Sequence, residues 1–562
     1  MDDFVKAIAS ALRQDTLLSE EELSKLIEVP PSPDLGDYAF PCFKVSAILK
    51  KSPQQIAFQL QGKLKIPGIE TKANGAYLNF FVDKEALARK TIEAVLNEKD
   101  NYGAGKENSR IVIEYPSPNT NKPLHLGHVR NMLLGKSCSR LLAFQGNKVI
   151  TVCLNNDRGV HICKAMLAYK LWGNNKEPDK KPDHFVGDFY VLYSKNAEQN
   201  PELEQQVREM LQKWEKGDKE TIALWKKING WALEGFDETY KKFGIKFDKV
   251  YNESEHYEEG KQIVLNALKK GLLAKDGEGN IVAELEKYSL PNKILLRADG
   301  TSIYMTQDIN LAKLKFEDFK PDISIYVVGS EQNLHFRQLF KILEILGVKT
   351  GKCHHLAYGM VYLPEGKMKS REGRVVDADD LVAEIISLSR EEMKKRHALN
   401  EEELEKRSRQ IGMAAISFFI LKYDTPKDFV FNAGESIALE GETGPYIQYT
   451  HARICSIFKK FSGKLPAKAD YSKLNTKEEH QLVSMLSKFP KAAKEAADSY
   501  KPMLVARYLL DLCQLFNNFY HQYQVLNTQA DVRDARLVLL EAIRQAIRNG
   551  LWLLSIDAPE EM

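Results

Sequence analysis

Residues 117–128 read Ser-Pro-Asn-Thr-Asn-Lys-Pro-Leu-His-Leu-Gly-His. His125 and His128 are three apart, so in a helical turn they share a face. Both can donate to phosphate oxygens, and Lys122 adds a full positive charge nearby. Gly127 has no Cβ, so a flat ligand can approach the backbone. The stretch follows an apolar run and precedes an amphipathic pattern. A helix that starts there offers unpaired N–H groups and a partial positive charge, which together make an anion site. Metal binding is the rival chemistry. It is weak, because the spacing is not i, i+4, no Glu follows His125 and no third ligand is evident. In a third reading one histidine caps the helix and the other is packed. Strand before, helix after and a lysine upstream favour nucleotide binding.

A second cation-rich stretch, Pro364–Val376, combines Gly366 and Gly373 with Lys367, Lys369, Arg371 and Arg374. A loop of that composition can close on a polyphosphate. Two carboxylates also stand out. Glu114 ends an apolar run, where an acid is costly without a partner. Asp308 precedes the helical pattern "INLAKLKF", where a cap is the reading its position allows. Asn155 and Asp157 follow the next apolar run and either face the same site or cap a loop.

These residues need elements to hold them. "RIVIEY" (110–115) and "KVITVCL" (148–154) are β-branched runs of the kind found in buried parallel strands. The spacing predicts a helix over Val129–Phe144, ended by Gly146. Strand, helix and strand make a right-handed βαβ unit. Residues 165–300 interrupt it as a largely helical insertion. The alternation resumes at "ISIYVVGS" (323–330), a helix through "FRQLFKILEILG", and "HLAYGMVYL" (355–363). Beyond about 376 the chain is nearly all helix, with Leu540, Ile543, Ile547, Leu551 and Leu554 on one stripe. Ahead of the βαβ unit, a helix from about Phe4 to Leu17, another over 52–65 and an Asn-Gly turn before a strand predict a small α+β domain.

The expected organisation is therefore multidomain α/β. Residues 1–105 form an N-terminal domain, 106–385 a Rossmann-like parallel-sheet core with its insertion, and 386–562 an all-α domain. With 562 residues, 43% hydrophobic and 28% charged, widespread disorder is excluded. The net charge of only +3 means that any nucleic-acid partner must meet local basic patches. Seven widely spaced cysteines without a C-x-x-C pair argue against disulfides and structural zinc. The N-terminus has no signal-peptide h-region and no run suits a membrane span, so a cytoplasmic protein is expected.

The residues resemble those of class I aminoacyl-tRNA synthetases: "HLGH" is similar to the HIGH signature and "KMKS" to a degraded KMSKS loop. Longer stretches resemble the arginyl-tRNA synthetase family. They are "EYPSPNTNKPLHLGHVRN" (114–131), "NNDRGVHICKAM" (155–166), "DHFVGDFYV" (183–191), "YMTQDI" (304–309), "GSEQNLHF" (329–336), "EGETGPYIQYTHARICSI" (440–457) and "LLSIDAPEEM" (553–562). The resemblance spans essentially the whole chain.

It implies two steps: arginine attacks the α-phosphate of ATP, and the terminal adenosine of tRNA then takes the arginyl group. A carboxylate is already a nucleophile, so the enzyme must position reactants and offset negative charge. By resemblance His125, His128 and Lys122 serve there, with Mg²⁺ on the ATP phosphates. Leu124, Gly127, Gly329, Met360, Val361 and Met368 would line the ATP site. Glu114, Ser117, Asn119 and Gln332 would hold the amino acid, with Tyr304 and Asp308 at its guanidinium, which a carboxylate pairs bidentately. Ser370 stands where the KMSKS signature has its second lysine. Lys122, Lys367, Lys369 and Arg371 are the candidates to compensate. The C-terminal helices resemble the DALR anticodon-binding domain, here "DARL" (534–537). Tyr446, Tyr449, Arg453, Asn517 and Tyr520 would meet anticodon bases. The resemblance also implies an N-terminal domain on the tRNA elbow and activation that requires tRNA. A monomer is expected. The alternatives are another class I enzyme or a related HxGH nucleotidyltransferase, and a non-catalytic RNA-binding paralogue.

Overall fold

The computed structural model describes residues 3–364, 376–396, 398–461, 463–466 and 468–562. The chain divides into two compact units. One joins residues 1–99 to 457–488 and 514–545, and the other joins 100–456 to 489–513 and 546–562.

In the first unit, strands Tyr38–Pro41, Tyr77–Val82 and Ile69–Asn74 form an antiparallel sheet, with Tyr77–Val82 in the centre. The Asn74-Gly75 turn joins two of them as its sequence predicts, with Gly75 at φ +56°. Helix Asp3–Thr16 matches the predicted first helix, and its Ile8, Ala9 and Leu12 are fully buried. The "DARL" stretch has a physical reason. Arg536 Nε donates to Glu479 Oε1 at 2.7 Å and Nη1 donates to the Gln524 carbonyl at 2.8 Å, while Glu479 closes the capping box of Lys477–Ser487 with Thr476. One buried guanidinium therefore ties two helices and a turn.

The second unit is built on a five-stranded parallel sheet. Its order is Lys352–Tyr358, Ile323–Gly329, Arg110–Glu114, Lys148–Asn155 and Lys249–Asn252. The first strand in sequence lies in the middle. Connections leave it in both directions, so a topological switch point falls between Glu114 and Gly329, where such sheets bind ligands. The predicted strands form, except that the run 355–363 is broken: Lys352–Tyr358 joins the sheet, and Val361–Tyr362 pairs with Phe429–Val430 instead. The interval 165–300 is largely helical, with Pro182–Ala197, Glu202–Glu215 and Lys219–Lys242 packed around Phe185, Val186, Val207 and Ile228. It also contains two features that the periodicity did not predict. Lys249–Asn252 is the sheet's outer strand, and residues 274–296 form a small antiparallel sheet.

Candidate active site

Helix Leu126–Phe144 begins three residues earlier than its hydrophobic period suggests, because His125 is its N-cap. His125 Nδ1 accepts from the Gly127 N–H at 3.1 Å, and His128 Nδ1 accepts from the His125 N–H at 3.1 Å. This is a capping box made of two imidazoles. With both Nδ1 atoms acting as acceptors, each ring carries its proton on Nε2. Burial, with Lys122 adding to it, pushes His125 down to about 4, and burial holds His128 well below its ordinary value. Both rings are therefore neutral donors near pH 7, with centroids 3.9 Å apart. The capping and ligand readings are compatible: Nδ1 caps, and the Nε2–H is left as each ring's donor. Gly127 serves the cap as well, since a Cβ there would lie 3.0 Å from His125 Cε1. Burial lowers the Lys122 ammonium from its ordinary value.

The segment Val376–Ala378 lies beside this turn. The Leu126 N–H donates to the Val376 carbonyl at 3.1 Å, and the Ala378 N–H donates to the Leu124 carbonyl at 2.9 Å. Lys367, Met368, Lys369 and Arg371 fall outside the described residues.

Glu114 has the partner that its position demanded. Lys315 Nζ donates to its Oε2 at 2.6 Å, with Glu114 6% and Lys315 1% exposed, and Ser117 Oγ donates to Oε1 at 3.3 Å. Lys315 also lies 3.7 Å from the centroid of the Tyr326 ring. Asn119 is exposed, held by its backbone beside Asn156. Asn155 Nδ2 donates to the Asn252 side chain, and Asp157 accepts from the Ser254 N–H and hydroxyl at 2.8 and 2.7 Å, which makes Asp157 a cap at the start of helix Glu253–Lys269.

Asp308 is not a helix cap, because helix Tyr304–Phe319 starts four residues before it and has Ile303 at its N-cap. Tyr304, 69% exposed, shares its face. His335 Nε2 lies 2.6 Å from Asp308 Oδ2. Glu253 is a nearby carboxylate that no spacing or motif singles out. Burial pushes it up to about 7, with Arg158 opposing and Asp157 and Asp308 adding. Gln332 is exposed at the end of the short turn Ser330–Gln332, three residues after Gly329, which ends its strand at the switch point.

Met360 and Val361 are placed by Arg130, which the sequence reading missed. Its guanidinium is 1% exposed and donates to the carbonyls of Gly359 (2.5 Å), Met360 (3.3 Å), Thr425 (2.8 Å) and Lys427 (2.9 Å). A lone arginine at a core-facing helical position, two after His128, was the available signal.

The residues expected to meet tRNA fall in both compact units. In the second, the Arg453 guanidinium lies 4.7 Å from the centroid of the half-exposed Tyr449 ring, with Tyr446 on the same helix. In the first, Tyr520 stacks on Phe516 at 5.8 Å, with Asn517 on the same helix. Among the described residues, Asp183, His184 and Asp379 bring possible metal ligands together, but Lys181 and Lys242 already donate to Asp379 at 2.6 and 2.5 Å. No described helix is long and apolar enough to cross a membrane.

Three family models match the chain. They are described as tRNA synthetases class I (R), catalytic domain, over residues 91–433; DALR anticodon binding domain, over 447–562; and Arginyl tRNA synthetase N terminal domain, over 2–82. The arginine–tRNA ligase of Parabacteroides distasonis is 43% identical over 556 residues, covering 93% of this chain and 92% of that one. That of Treponema denticola is 44% identical over 564 residues, covering 95% and 94%. Among solved structures, the arginyl-tRNA synthetase of Thermus thermophilus matches with a TM-score of 0.84 at 27% identity, covering 100% of this chain and 99% of that one.

Proposed function

The chain belongs to the class I arginyl-tRNA synthetase family and ligates arginine to tRNA through an aminoacyl adenylate formed from ATP; from that premise, we propose how its residues divide the work. ATP lies along the N-terminus of Leu126–Phe144, lined by Leu124, Gly127, Gly329, Met360 and Val361. The neutral His125 and His128 donate Nε2–H to its phosphates, and Lys122 supplies the charge that offsets the oxyanion developing at the α-phosphate. Lys367, Met368, Lys369 and Arg371 would add to that site from the sequence alone. Glu114, Ser117 and Asn119 take the amino and carboxylate ends of arginine, with Gln332 beside them. Asp308 takes the guanidinium, with Tyr304 on the same helical face and Glu253 as a second carboxylate.

The observation that carries this reading is the Asp308–His335 pair. His335 occupies Oδ2, and among the described residues no hydrogen bond takes Oδ1. A carboxylate oriented in this way is built for a planar cation. Asp308→Asn should lower kcat/KM for arginine at least about 30-fold, equivalent to about 2 kcal/mol, with the KM for ATP unchanged. An unchanged kcat/KM for arginine would remove Asp308 from the pocket.

We place Mg²⁺ on the ATP phosphates rather than on protein ligands, because the cradle offers donors and a cation, and the Asp183, His184 and Asp379 group is already filled by lysines. Tyr446, Tyr449, Arg453, Asn517 and Tyr520 are proposed to meet the anticodon arm, and residues 1–105 the tRNA elbow. The seven free cysteines suit a reducing, cytoplasmic setting, and a monomer is the proposed working form.

A further inference from the structure

The stretch Asp183–Val191 fits the family pattern, yet the division of labour above gives it no task. Its helix, Pro182–Ala197, touches the proposed ATP cradle at two points. At one, Gly187 lies against the Lys122-Pro123 segment, and a Cβ there would sit 2.6 Å from Pro123 Cδ. Only glycine permits that approach.

At the other, His184 Nε2 lies 3.3 Å from Asp377 Oδ1 and 3.4 Å from Asp379 Oδ2. Lys181 Nζ donates to Asp379 at 2.6 Å and to Asp183 at 3.0 Å. Lys242 Nζ and Thr239 Oγ1 donate to Asp379 at 2.5 and 3.1 Å. Asp183 is fully buried, and a Cβ on Gly235 would overlap its carboxyl. The two carboxylates hold His184 protonated, up to about 10. In the cluster three carboxylates meet two lysines and one imidazolium, and Asp377 Oδ2 is buried without a hydrogen-bond partner.

Its output points at the cradle. Asp377 pairs with His125 across a backbone bridge, and the residues on either side of it hydrogen-bond to Leu124 and Leu126. A network on the inserted helices therefore fixes the segment that flanks the His125 cap. We propose that His184, acting with Asp183 on Asp377 and Asp379, is a positioning residue for adenylate formation, because it sets where the His125 and His128 N–H groups stand. A misplacement of about 1 Å at such groups can cost roughly 100-fold in rate. The proposal rests on the reading that residues 122–128 bind ATP.

The test compares wild type with His184→Ala, His184→Gln and Asp379→Asn in arginine- and tRNA-dependent ATP–pyrophosphate exchange, alongside tRNA affinity and melting temperature. His184→Ala should lower kcat at least about tenfold, leaving the KM for arginine and the Kd for tRNA within about twofold. His184→Gln, which keeps a donor, should recover part of the loss. If His184→Ala does not fold, the same kcat-selective loss in Asp379→Asn supports the proposal. Wild-type kcat in the variants would overturn it. So would a loss shared equally by kcat, tRNA affinity and melting temperature without recovery in His184→Gln, which describes a purely structural network. A wild-type enzyme without arginine-dependent exchange would instead defeat the underlying reading of the site.

Discussion

Glu114 and Asp308 are held in opposite ways. Glu114 is buried against Lys315, whereas Asp308 is part-exposed and pinned on one oxygen by His335. Removing one member of a buried pair leaves an uncompensated charge, at about 3–5 kcal/mol. Lys315→Met should therefore lower the melting temperature markedly, and adding Glu114→Gln should restore most of it. A melting temperature unchanged in the single variant would contradict the pairing. The histidines give a pH signature. His125 sits at about 4 when folded, below its ordinary 6.5. Between those values the unfolded chain binds a proton that the folded chain does not, so stability falls as pH drops from 6.5 toward 4. His125→Gln should flatten the dependence of melting temperature on pH in that window; an identical slope would contradict a buried, neutral His125. At this scale the sequence showed which acids needed partners but not which residues supplied them. Lys315 lies 201 positions from Glu114 and, within a charged helix, reads as one more solvated lysine.

Elements were legible where their period was long and hidden where an unusual residue began or ended them. Histidine is a rare N-cap, so the hydrophobic pattern placed the start of the crossover helix at Val129 instead of Leu126. The strand Lys249–Asn252 has four residues and only Tyr251 buried, too little alternation to stand out between two helices. Arg130 shows how tertiary packing overrides pattern. It occupies a core position because four carbonyls from two distant segments converge on it. Arg130→Met would strip the donor from the Gly359 and Lys427 carbonyls, while those of Thr425 and Met360 keep the Gly359 and Phe429 N–H groups; the cost is about 1–3 kcal/mol for each stripped carbonyl that water cannot reach. The expected outcome is a lower melting temperature together with a raised KM for ATP, since Met360 and Val361 lose their anchor. A raised KM for arginine alone would contradict that placement.

Across the whole molecule, the parallel sheet sets the switch point, and the elements around it bring together residues from four parts of the sequence. Glu114 to His128, Tyr304 to Asp308, Gly329 to His335 and Val376 to Asp379 supply them from strand ends, turns and helix starts. That the chain binds nucleotide was readable from one contiguous stretch, because a strand, a turn and a helix start are local. That it selects arginine was readable only through resemblance, because the groups that would hold a guanidinium lie on separate elements: Asp308 on one helix, its partner His335 on another and Glu253 on a third. The most direct test of this account is ATP–pyrophosphate exchange with a panel of amino acids, with and without tRNA. The account predicts exchange with arginine that depends on tRNA, and none with lysine or glutamate. Robust exchange with lysine or glutamate and none with arginine would contradict it.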